Sequence, residues 1–355
     1  MNKKLDKLEA IRGFAAIYVI FHHTLKKGLI FGGIDFSFIF RFGQEAVILF
    51  FILSGFVIEY SFSKSKDHTF KTYFLKRFLR IYVPLFCVFL LNLLIVYFND
   101  KDFNFSLLTF IGNILMLQDV SSLKPNVIIN TFLGNLPLWS LSYEWWFYML
   151  YFPIVKFLKN KSSNFVYLIG ICAAITYLFY PNFLNRELFY FVIWWSGVVL
   201  ARVYVLNNEI KLINLKNLFV SLFIIIIILT LNVFLNYKGG TVGLSPILEL
   251  RHFIFSFVII LVALGWYKFK WIGFDYTIGI FKRVAPISFG LYISHYFLIS
   301  NASYLNAIIL NKNIKLIIYI INCILFSYLI ERLFYPFVSK CFFRKSIILK
   351  TTNNI

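Results

Sequence analysis

The sequence predicts an all-α, polytopic integral membrane protein with about ten transmembrane helices and one short re-entrant or interfacial helix. Three observations lead there. Of its 355 residues, 60% are hydrophobic and 21% aromatic, against roughly 45–50% apolar in an average soluble domain. The apolar residues gather into runs long enough to cross a hydrocarbon core as helices, which takes about 20 residues. The net charge of +20 is not pooled in one patch, as a nucleic-acid binder would need. It is divided among short loops between the apolar runs, the distribution that the positive-inside rule describes.

Taken in order, the runs fall at 8–25, 44–60, 80–98, 136–157, 164–180, 187–205, 215–235, 251–267, 285–303 and 314–338. The first follows Met1-Asn-Lys-Lys without a cleavage signal behind it, so it is expected to remain as a membrane helix. Residues 105–118 are apolar but too short to span comfortably, which suits a re-entrant or interfacial helix. With both termini inside, 24 of the 35 basic residues fall in cytoplasmic segments and ten in outer ones, Lys124 among the latter. Making 105–118 a full span would turn Lys156–Lys161 outward and spoil that bias. The expected organisation is a membrane domain over 1–340 and a cytoplasmic tail over 341–355, without a soluble domain, internal repeat or low-complexity stretch. Cys87, Cys172, Cys323 and Cys341 have no CxxC spacing, and neither a disulfide framework nor a metal site follows from them.

Ionisable residues inside these runs are the candidates for chemistry, because they are expensive in a bilayer and usually face a polar cavity. Arg12 and His23 lie eleven steps apart in the first run, within roughly 20° of the same helical face. Ala15, Ala16 and Val19 between them are small enough to leave a groove. The plainer alternative is that both side chains snorkel to the two interfaces. Ser54 and Gly55 form a small-residue pair suited to close helix approach. Arg77 and Arg80, three apart on one helix, can point the same way and grip a phosphate, or simply meet anionic lipid; Pro84 follows in the first turn or two of that span. Glu144 sits about two turns into its span with Ser140 and Tyr148 one turn to either side. A carboxylate there calls for a partner, with a histidine or arginine of another helix the natural one. His295 is a catalytic or a packing histidine, and Glu331 and Arg332, about 100° apart, are expected to pair with other helices rather than each other.

In order, Arg12-x10-His23, Gly43…Phe50-Phe-x-x-Ser-Gly-Phe56, Arg77-x-x-Arg80-Ile-x-x-Pro84, Trp139-Ser-Leu-x-x-Glu144-x-x-Phe-Tyr148, Ser288-x-Gly-x-Tyr-x-x-His295 and Glu331-Arg332 resemble the acyltransferase-3 family of integral membrane O-acyltransferases. The resemblance runs from residue 5 to about 336. Glu45-Ala46 stands where the family often has glycine, and Leu333 where proline is common.

The resemblance implies transfer of an acyl group, most often acetyl from acetyl-CoA, to a hydroxyl of a cell-envelope polysaccharide or lipid-linked sugar. The expected setting is the bacterial inner membrane, with both termini cytoplasmic and no metal. His23 would be the general base, since a hydroxyl is a poor nucleophile until its proton is taken and imidazole titrates near working pH. His22, about 100° round the helix, is the competitor. Arg12 would line the path of the donor's pantetheine arm, Glu144 would orient the imidazole, and Arg77 and Arg80 would hold the coenzyme A phosphates; Ser54, Ser140, Tyr148, His295 and Glu331 are further candidates. Expected partners are membrane lipids, acyl-CoA and a glycan or glycolipid acceptor, with homo-oligomerisation open and no nucleic acid. The competing class is a multipass transporter or flippase of a small anionic or glycan substrate, which also keeps charges inside a bundle. The internal repeats and paired broken helices that would favour it are not evident in the sequence.

Overall fold

The computed structural model of the chain describes residues 3–25, 30–32, 34–99, 105–207, 211–237, 239–306 and 308–352. Lys26, Lys27, Lys101 and Lys238, counted above among the outer charges, lie outside the described residues, as does the end of the tail from 353. Helices account for nearly all of the structure: α1 (Lys3–Leu25), α2 (Gly43–Ser63), α3 (Phe70–Asn99), α4 (Leu107–Ile114), α5 (Trp139–Leu158), α6 (Ser162–Phe179), α7 (Phe183–Asn207), α8 (Lys216–Asn236), α9 (Ile247–Lys268), α10 (Ser288–His295), α11 (Lys312–Tyr328) and α12 (Tyr335–Thr352). Turns of π-helix extend α10 over Tyr296–Ser300 and join α11 to α12 over Leu329–Phe334. Two-residue strand pairs, Ile30–Phe31 with Ile34–Asp35 and Gln118–Asp119 with Ile129–Asn130, are the only sheet among the described residues.

The all-helical, polytopic class is as the composition predicts, and each of the ten apolar runs contains helix. By length and apolarity, however, seven helical segments among the described residues can cross a membrane. One of these, Leu136–Phe179, holds both α5 and α6, broken where Lys159 takes a φ of 46°. The α1 segment is not among the seven, since Glu9, Arg12, His22 and His23 dilute its apolar run. The run at 285–303 delivers only α10 and its π turn, too short for a full crossing. As its length requires, the 105–118 stretch forms a helix of eight residues, α4.

The chain divides into two compact units, each discontinuous in sequence. The first comprises Met1–Arg41, Thr69–Phe105 and Phe281–Ile355. In it α1 packs against α10 and the turns before α10. Gly13 makes this approach possible, because a Cβ there would lie 2.1 Å from the Phe281 carbonyl oxygen. Ala15, Ala16 and Val19 are buried, so the strip between Arg12 and His23 is filled by packing rather than open as a groove. Ile20 continues that face into a core with Leu291, Leu298, Ile299, Tyr319 and Cys323. The α3 helix begins ten residues before the apolar run does, which puts Pro84 in the helix interior rather than its first turns. A ladder of rings one turn apart, Phe70, Phe74, Phe78 and Tyr82, with centroids 5.7, 5.7 and 4.6 Å apart, extends the helix through its polar start.

The second unit comprises Phe42–His68 and Ser106–Ile280. Its centre is α7, where Phe189–Trp195 are buried without a break, the pattern of a helix covered on all sides. The α2 helix lies against it so closely that a Cβ on Gly55 would come within 2.0 Å of the Trp194 carbonyl oxygen. The small-residue reading of Ser54-Gly55 therefore holds for the glycine. Large apolar side chains on α3 and α8, such as Leu90, Phe223 and Phe234, are exposed, and hydrocarbon is the surrounding in which such surfaces are stable.

The structure also bears on sidedness. Lys124 is buried, so an outer-loop label belongs at the exposed neighbour Ser122, against the exposed Lys159 for the inner side. In a background free of native cysteines, an impermeant thiol reagent added outside cells is expected to label a cysteine at 122 and not one at 159. The reverse pattern would overturn the orientation expected from loop charge.

Candidate active site

In the first unit α1 carries Arg12 and His23. The Arg12 Nη2 donates to Glu9 Oε2 at 2.9 Å and to the Ala285 carbonyl at 3.2 Å. Its guanidinium is thus held at the N-terminal part of α1 by the preceding turn and by the residues leading into α10. His23 is half-buried in an aromatic group: its ring centroid lies 5.0 Å from that of His22, 5.2 Å from His295 and 6.0 Å from Tyr296. The competitor His22 is engaged elsewhere, with Nδ1 2.6 Å from the Phe40 carbonyl oxygen. His295 is fully buried at the end of α10, where helix passes into the π turn.

Arg80 of the same unit is ion-paired with the buried Glu331 on the π turn between α11 and α12. Its guanidinium also lies 5.0 Å from the Phe289 ring centroid and 5.3 Å from that of Tyr335. Glu331 thus pairs with another helix, as its orientation relative to Arg332 suggests. Arg77, one turn before Arg80 on α3, sits 5.5 Å from the Tyr73 ring centroid.

In the second unit Glu144 takes no histidine or arginine as partner among the described residues. Its Oε1 accepts from Ser54 Oγ at 2.9 Å and from the Tyr148 hydroxyl. Ser54 Oγ lies 3.0 Å from the Tyr148 oxygen and accepts from Trp194 Nε1 at 3.2 Å. Two hydroxyls take the place of the expected cation because α2 approaches closely enough for Ser54 to reach. Ser140 points elsewhere, donating to the Pro137 carbonyl at 3.4 Å.

A further polar cluster in this unit escaped sequence reasoning. Asp119, in the loop before α5, accepts from Lys124 Nζ at 2.9 Å and from the Tyr143 hydroxyl at 2.7 Å, with Arg186 Nε 3.5 Å away. Lys124 Nζ also lies 3.7 Å from the Trp139 ring centroid, and burial pushes its ammonium below the usual lysine range although Asp119 opposes the shift. Glu187 is buried nearby, and Tyr190 bonds His252 Nδ1 at 2.6 Å. The only sequence signal was charge at the edges of apolar runs, where Lys124 and Arg186 entered only the count of outer basic residues.

A helical bundle with ionisable side chains buried among apolar ones defines an integral membrane protein equipped for polar chemistry. The chain matches a family model described as an acyltransferase domain over residues 5–332, and it belongs to that acyltransferase-3 family. It is therefore a membrane acyltransferase. No curated protein and no solved structure matches it.

Removing one partner of a buried ion pair strands the other, which costs about 3–5 kcal/mol. Asp119→Ala is thus expected to lower the thermal unfolding midpoint in detergent well below that of Glu9→Ala, whose pair with Arg12 is partly exposed. Equal midpoints would show that the Asp119 cluster does not stabilise the second unit.

Proposed function

We propose that this chain is an O-acyltransferase of the bacterial inner membrane, both termini cytoplasmic. It moves an acyl group, acetyl first among the candidates, from acyl-CoA to a hydroxyl of a cell-envelope polysaccharide or lipid-linked sugar. Family membership over residues 5–332 supplies the acyl transfer. The observation that supports the choice of base is the environment of His23, which lies among imidazole and phenol rings while His22 is tied to a backbone carbonyl.

In the proposed reaction His23 takes the proton of the acceptor hydroxyl as its oxygen attacks the thioester carbonyl. The carbon–oxygen ester bond forms, the carbon–sulfur bond breaks, and the imidazolium returns its proton to the departing thiolate, giving ester and free coenzyme A. Arg12 is proposed to line the donor's path, and Glu144, with Ser54 and Tyr148 bonded to it, to be a second catalytic group. Arg77 and Arg80 are proposed to receive the donor phosphates, with Arg80 exchanging the Glu331 carboxylate for phosphate oxygen. Arginine suits this exchange because its planar fork binds carboxylate and phosphate alike.

Loss of a general base typically costs about 10²–10⁴-fold in rate. Transfer from labelled acetyl-CoA in membranes, with matched expression, should therefore be lost in His23→Ala and largely kept in His22→Ala. Near-normal turnover by His23→Ala would remove this histidine from the mechanism.

Donor binding is tested apart from turnover. Arg77→Ala is expected to weaken coenzyme A binding by about 1.5–3 kcal/mol, the range for hydrogen bonds to charged groups. Arg80→Ala alone would strand the buried Glu331, so Arg80→Ala is combined with Glu331→Gln and should show a loss of the same order. Unchanged affinity in both variants would return these arginines to lipid contact.

A further inference from the structure

We propose that His295 is the positioning residue for His23: its Nε2 accepts a hydrogen bond from the His23 ring and so fixes which nitrogen of His23 is left to take a proton. This rests on the reading of His23 as the base and adds to it the group that orients the imidazole.

The first observation is the bonding of the other nitrogen. His295 Nδ1 lies 2.7 Å from the Tyr292 carbonyl oxygen and 3.2 Å from that of Leu291. A carbonyl oxygen only accepts, so Nδ1 must carry the hydrogen, and in the neutral ring Nε2 then holds a bare lone pair. Burial and the backbone together thus select one tautomer without any side-chain partner.

The second observation is what that lone pair faces. His295 is fully buried, and Nε2 has no hydrogen-bond partner among the described residues. A buried acceptor left unmade costs about 1–3 kcal/mol, so such an atom in a native fold asks for a donor. The His23 ring stands beside it, 5.2 Å away between centroids and tilted by 43°, and its N–H is the donor that the proposal assigns to that lone pair. Hydrogen bonds of this kind are often unmade in the free enzyme and tighten when substrate is bound.

Once the neutral His23 ring donates its one N–H to His295, its other nitrogen is the unprotonated one and can take a proton. The acceptor hydroxyl can then lose its proton to that nitrogen without a prior tautomer exchange. No proton passes to His295 in this scheme; its part is to hold the orientation and the tautomer.

Two substitutions separate this role from a packing one, because they retain opposite halves of the imidazole. His295→Asn keeps a donor near Nδ1 for the Tyr292 carbonyl and removes the acceptor at Nε2. His295→Gln does the reverse, placing an amide oxygen near Nε2. The expected result is a fall in kcat on the order of 10–100-fold in His295→Asn, the range for groups that orient a metal-bound imidazole. His295→Gln should keep kcat within a few-fold, and both variants should leave KM for acyl-CoA and for acceptor unchanged. Equal activity of the two, a better His295→Asn, or a change confined to KM would overturn the proposal and leave His295 as a helix-packing residue. A measurement on the unaltered protein covers the case in which the variants fold poorly. With ¹⁵N-labelled histidine, His295 should show a protonated Nδ1 and bare Nε2, and His23 a single tautomer in the presence of a non-transferable acyl-CoA analogue; mixed tautomers at His23 would overturn it. If His23→Ala stays active the base assignment itself fails, whereas an inactive His23→Ala with equally active His295→Asn and His295→Gln overturns the positioning role alone.

Discussion

A charge carried into an apolar bundle has to find its partner inside that bundle, and most of the polar architecture of this protein follows from that constraint. Arg80 meets Glu331, Arg251 meets Glu45, and Arg202 meets Glu59, which also accepts from Tyr151 at 2.7 Å. Asp119 gathers Lys124, Arg186 and Tyr143. Apart from Asp119 with Lys124, five residues apart in one loop, these pairs tie together helices or loops distant in sequence, so the charges specify which elements neighbour which while the apolar faces supply the bulk of the burial. Glu45, which stands where the family often has glycine, is accounted for in the same way, as the buried partner of Arg251.

Against this background the contacts made by uncharged partners are the informative ones. His23 and His295 contact each other through their rings, and the visible anchor of His295 is backbone. Glu144 is held by hydroxyls that can be displaced at less cost than a salt bridge. On the proposed assignment of His23 and Glu144, catalytic groups need to be oriented without being consumed, and hydroxyl, imidazole and carbonyl partners do that where a carboxylate–guanidinium pair would not. Arg80 stands at the boundary between the two kinds, because its partner is a carboxylate that an incoming phosphate can imitate.

Close packing and site geometry are coupled. The absence of a side chain at Gly55 lets α2 approach α7, and the same approach brings Ser54 Oγ to the Trp194 indole, beside Glu144 and Tyr148. Gly13 does the corresponding work for α1, setting it against the turns that lead into α10, the helix that ends in His295. Small residues thus place the polar ones.

The sequence by itself determined the helical, membrane-embedded class, the places of the apolar runs, the short helix α4 and the family, because apolar length and motif spacing are local properties of the chain. It also placed Arg12, His23, Ser54, Arg77, Arg80, Glu144, Tyr148, His295 and Glu331 as residues unusual for their surroundings. Tertiary structure decided what each of them meets. Glu144 was read as needing a cation and has hydroxyls; Arg80 was read as free for phosphate and holds Glu331; the strip between Arg12 and His23 was read as a groove and is packed. Lys124 was counted among the basic residues of the outer loops and is buried against Asp119. Periodicity says which face of a helix a residue occupies, but not which helix lies opposite. Partners are chosen when helices far apart in sequence pack, and that choice depends on close approaches such as those at Gly13 and Gly55, which no single segment encodes alone.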